Sequence, residues 1–113
     1  MDTQFYKREF INKVGNLYDE FKKDCERINK LVEPKEISKE LNECKWKYDK
    51  KWIELENFHQ CHKLQGIASE YGTIAFNRYR NDEFNKIKNN GWKRYFNKNI
   101  RPLVSNFNNF FII

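Results

Sequence analysis

On either side of Pro34 the apolar residues of this sequence mirror one another, and that symmetry limits the fold more than any other feature. Upstream, Phe10, Val14, Leu17, Phe21, Ile28 and Leu31 follow a helical four–three–four spacing, widened along one edge by Ile11, Tyr18, Cys25 and Val32. That pattern is one broad apolar face of a helix over about 4–32. Downstream, Ile37, Leu41, Cys44, Tyr48, Trp52, Leu55, Phe58 and His62 repeat at the same interval. Pro34 disfavours a helical Glu33 and suits the first turn of a new helix, where Glu36 sits near the positive end of the dipole. When the chain folds back there, positions whose numbers add to 69 face each other. Cys25 meets Cys44, Phe21 meets Tyr48, Leu17 meets Trp52, Val14 meets Leu55, and Ile11 meets Phe58. Apart from the thiols, every pair is apolar or aromatic. The expectation is an antiparallel helical hairpin of helices at about 4–32 and 35–71, packed like a short coiled coil.

The rest of the chain extends an all-α reading. Four Gly and two Pro in 113 residues leave room for few loops. A third helix is expected over about 73–89, carrying Phe76, Tyr79, Phe84 and Ile87. The Asn89-Asn90-Gly91 triplet predicts its stop, because Asn and Gly tolerate the left-handed conformation. "WKRYFNKNI" suggests one more short helix, ended by Pro102, with 103–113 as an irregular arm. One domain is expected at this length.

Charge divides the chain unevenly. Residues 1–76 hold 14 basic and 14 acidic side chains, a neutral scaffold, whereas 77–113 hold eight basic and two acidic ones. The whole excess of +6 therefore lies in the last third, which predicts a basic contact region. There, Arg78, Arg80, Trp92, Lys93, Arg94 and Tyr95 interleave cations with rings. The second helix carries an additional stripe, Trp46, Ile53, Leu64 and Tyr71, turned away from the hairpin face. With 17% aromatic residues, the chain has more large rings than a small core hides. Both groups are therefore expected to meet partners.

The stretch "CKWKYDKKWIELENFHQCHKLQG" raises the question of chemistry. On one helix, Cys44 and Cys61 stand about 25 Å apart, far beyond the roughly 7 Å a disulfide allows. They share neither a bond nor a metal ion. Glu56, His59 and His62 fall on one side of the helix, but the first helix offers few further ligands, so no metal site is assigned. Cys25 and Cys44 face each other in the hairpin register, which admits either a disulfide or two reduced thiols. The arrangement resembles the cysteine-pinned helical hairpins of small mitochondrial intermembrane-space proteins. Their twin C-x9-C spacing is replaced here by C-x18-C, and no family is assigned.

No nucleophile elbow, phosphate-cradling Gly loop or dinucleotide fingerprint occurs, so neither an enzyme nor a cofactor is expected. The start "MDTQFYKREF" is charged from residue 2, and no segment approaches the roughly 18–20 apolar residues of a membrane-spanning helix. These features point to an intracellular, non-catalytic accessory subunit docked on other protein subunits, with a mitochondrial membrane complex favoured by analogy. The basic aromatic third leaves two alternatives: an RNA-binding or ribosome-associated protein, and peripheral contact with an acidic membrane.

Overall fold

A computed structural model describes residues 3–64 and 73–103; Thr3 and Thr73 are described in backbone only. The described residues are all helical apart from short connections. Helix α1 spans Thr3–Ile28, α2 spans Pro34–Cys61, and α3 spans Thr73–Tyr95. A π-helical turn, Phe96–Ile100, continues α3, and residues 101–103 return to α-helix.

The hairpin register holds. The rings of Phe21 and Tyr48 meet edge to face at 5.1 Å, and Leu17 and Trp52 are both buried in the same core. Toward the open end, Phe10 meets His59 at 5.3 Å in the same register. The expected Ile11–Phe58 pair does not form, because Ile11 is exposed. Phe10 and Ile11 are neighbours on the helix and compete for its inner face, and the larger ring takes it.

Helix α3 runs antiparallel to α2. Near its start, Phe76 packs against Trp52 at 5.3 Å and against Phe21 at 5.0 Å, and Arg80 bonds Asp49. Near its end, Gly91 lies against Ile37, and Arg94 Nη2 donates to the Leu31 carbonyl at 2.8 Å. The core centres on Phe21, Tyr48 and Phe76, one ring from each helix and each wholly buried. Edge-to-face contacts of this kind add about 0.5–1.5 kcal/mol per pair beyond the burial itself.

Three expected boundaries are corrected. Helix α1 ends at Ile28 rather than near 32, because residues 29–33 must reverse the chain before Pro34 can open α2. Helix α2 ends at Cys61 rather than 71. There Lys63 N–H donates to the Gln60 carbonyl and Leu64 N–H to that of His59, while Lys63 adopts a left-handed φ of 49°. This is a Schellman stop, closed by an apolar residue just beyond it. Helix α3 passes straight through Asn89-Asn90-Gly91. Gly91 is needed there for close approach: a Cβ would strike Cδ1 of Ile37.

The three helices are staggered. Since Arg94 already reaches the α1–α2 connection, residues 95–103 run past it as an overhang of roughly 13 Å at 1.5 Å per residue. At the opposite end, Tyr6, Phe10, Phe58 and the two histidines fill the space between α1 and α2.

Candidate functional site

A cluster of charges pairs across the hairpin. Lys47 bridges Glu20 at 3.1 Å and Asp24 at 2.9 Å, Lys51 also reaches Glu20, and Arg27 pairs with Glu40. The Tyr48 hydroxyl donates to Asp24 at 2.6 Å. Burial opposes ionisation of Asp24, but the donors Tyr48 and Lys47 outweigh it and hold this carboxyl below its usual range. Burial, and next the bond to Asp24, push the Tyr48 phenol far up. These contacts fix register, and Glu20, Arg27, Lys47 and Lys51 remain partly exposed at the hairpin surface.

The expected site residues divide into two sets. Trp46 is 76% exposed, and Ile53, Arg78, Trp92 and Lys93 are also exposed. Trp92 and Tyr95 stack at 25° and 6.0 Å, so one turn of α3 presents an aromatic pair. Three others are taken up by the fold. Leu64 is 1% exposed because it closes the Schellman stop of α2. Arg80, 7% exposed, bonds Asp49 at 2.8 Å, and Arg94 satisfies the Leu31 carbonyl. Tyr71 lies outside the described residues.

Cys25 and Cys44 are free, buried thiols, with no bond between them. Burial, and secondarily the neighbouring Cys44, push the Cys25 thiol up to about 12; burial likewise pushes Cys44 up to about 11. Neither is a nucleophile near neutrality. Cys61 is exposed and free. Tyr6 stacks on His62 at 3.8 Å, and Phe10 takes the edge of His59. Among the described residues no three His, Cys, Asp or Glu side chains are grouped to hold a metal.

Side chains available for contact occur on all three helices, with Phe5 and Ile11 exposed on α1, Trp46 and Ile53 on α2, and Ile74 and Trp92 on α3. Among the described residues, Arg78, Lys88, Lys93, Lys98 and Arg101 make no ion pair, and Phe96 and Leu103 of the overhang are exposed beside the last of these cations. Sequence reasoning missed the overhang, because the apparent stop at Gly91 cut α3 in two. It also missed the groove between α2 and α3. One half of that groove, about 210 Å3, is lined by Ser38, Asn42, Lys45, Arg80, Asn81 and Lys88 over Leu41 and Phe84. Ser38 and Lys88 join it to a second hollow of about 190 Å3 walled by Pro34, Ile37 and Trp92. The arrangement suits binding through cations and ring faces.

Comparison with protein-family models, with curated proteins and with solved structures gives no match for this chain. No helix among the described residues is long and apolar enough to cross a membrane.

Proposed function

We propose that this chain is a non-catalytic accessory subunit that docks into a larger protein assembly through the exposed end of α3. One observation carries the reading. The overhang sets apolar Phe96 and Leu103, both exposed, among Lys93, Lys98 and Arg101. An apolar centre rimmed by cations is the composition of a protein contact surface. The proposed setting is a mitochondrial membrane complex, on the analogy of the many small helical subunits such complexes recruit; fractionation of the source cells tests it. The docking test is native recovery of the full chain from its own cells, alongside a Phe96→Asp/Leu103→Asp variant. Stoichiometric partners held by the parent chain and lost by the variant support the reading. A parent chain recovered alone, or a variant that keeps every partner, overturns it.

A second reading, RNA binding, is favoured by Arg78, Lys88 and Lys93 of α3 and Lys98 and Arg101 beyond it, which make no ion pair among the described residues, together with the Trp92–Tyr95 stack. Such binding weakens steeply as salt rises, because neutralised phosphates release counterions. Charge reversal at Lys93, which is exposed and makes no ion pair among the described residues, tests it without disturbing the Arg94–Leu31 bond.

A further inference from the structure

We propose that the groove between α2 and α3 binds a nucleotide, its phosphate between Lys45 and Lys88 and its base against Trp92. The inference goes beyond the docking reading and deepens the RNA-binding one by naming the unit bound and the site.

Charge singles out this groove. The hollow between α1 and α3 sets Lys22 and Lys86 against Glu26 and Glu83. That between α1 and α2 sets Lys13 and Lys51 against Glu20 and Glu54. Each is balanced. The α2–α3 groove holds Lys45, Lys88 and Arg80, and no carboxylate lines it. Two lysines of different helices lining one hollow with no carboxylate in its wall make a place for an anion. The amides of Asn42 and Asn81 and the hydroxyl of Ser38 supply neutral hydrogen-bonding groups around them.

Arg80 adds an independent observation. Its guanidinium is nine-tenths buried and bonds Asp49 through Nη1, yet its Nε–H has no acceptor among the described residues. That Nε is itself closed to solvent, so Arg80 contributes to the groove as a positive charge in its wall, held in place by Asp49.

The aromatic half identifies the class of phosphate. Lys88 and Trp92 are one helical turn apart, about 6 Å along the axis, and both border the second hollow. That spacing suits a sugar between a phosphate at Lys88 and a ring on Trp92. Trp92 is 56% exposed and is backed by Tyr95, so its ring is held by stacking. Aromatic side chains take bases this way with little regard for sequence.

The test is binding of AMP, glycerol phosphate, inorganic phosphate and a single-stranded RNA pentamer to the full-length chain at low salt, followed by calorimetry. Variants are Lys45→Ala/Lys88→Ala, Trp92→Ala, and Lys22→Ala/Lys86→Ala as a control that removes the same charge elsewhere. All these positions are exposed, and circular dichroism checks that each variant is folded. AMP should bind at least fivefold more tightly than glycerol phosphate, and Trp92→Ala should erase that difference. The Lys45/Lys88 pair should lower AMP affinity at least tenfold, while the control pair changes it less than twofold. A pentamer no tighter than AMP assigns the site to free nucleotides; a pentamer at least tenfold tighter assigns it to single-stranded RNA. Equal binding of AMP and glycerol phosphate, or equal loss in both lysine pairs, overturns the inference. Pentamer binding that ignores Lys45, Lys88 and Trp92 overturns the site and leaves RNA binding standing. No binding of any of these ligands overturns both.

Discussion

Tyr48 on α2 donates its hydroxyl proton to Asp24 on α1 at 2.6 Å, from a ring that is itself wholly buried. The bond locks register, since a slip of one residue would bury the hydroxyl without its acceptor. It also makes stability depend on pH. The Asp24 carboxyl is depressed below its ordinary 3.8, so its contribution is complete above about that pH. It is lost as pH falls through the lower folded value. Melting from pH 7 to pH 2 should therefore show a decline beginning near pH 4, and Asp24→Asn should flatten it. Tyr48→Phe should cost about 1.5–3 kcal/mol at pH 7, as expected for a bond to a charged acceptor, and much less at pH 2.

Two glycines in helices should respond differently to alanine. Around Gly15 a Cβ meets nothing within 4 Å, so Gly15→Ala should stabilise by about 1 kcal/mol. At Gly91 the same change presses on Cδ1 of the buried Ile37 and should forfeit that gain. Ile37→Val deletes the offending atom. Denaturant titration of the four-member cycle should give a favourable coupling of about 0.5–1 kcal/mol between Gly91→Ala and Ile37→Val.

Lys63 holds a left-handed φ of 49° that a side chain opposes. Lys63→Gly should raise stability by about 0.5–1 kcal/mol, the strain relieved exceeding the added freedom of the unfolded chain. Chemical denaturation checks the sign.

Thiol labelling separates the three cysteines. At pH 8, Cys61 should react within minutes while Cys25 and Cys44, buried and pushed up to about 12 and 11, stay protected until the chain unfolds. Mass spectrometry before and after denaturant should find one modified thiol and then three.

The hairpin was legible because one period, mirrored about Pro34, specifies both helices and their register at once. Phe21–Tyr48 follows from spacing alone. Boundaries were less legible because they depend on backbone bonds that spacing does not encode: nothing in "FHQCHKLQG" requires Lys63 to turn left-handed. Gly91 misled because its missing Cβ serves contact with Ile37, a tertiary fact, while reading as a local stop. The fates of Arg80 and Leu64 were hidden for the same reason. A cation or an apolar residue is available to a partner only after the fold has taken its share, and α3 claims Arg80 for Asp49.

Aromatic NOE spectroscopy with selectively labelled Phe and Tyr measures the packing on which all of this stands. Phe21 should show ring contacts to Tyr48 on α2 and to both Phe76 and Phe84 on α3, whose centroids lie 5.1, 5.0 and 5.9 Å away. A Phe21 ring that contacts neither Tyr48 nor Phe76 would contradict the three-helix arrangement, and with it the groove and the overhang.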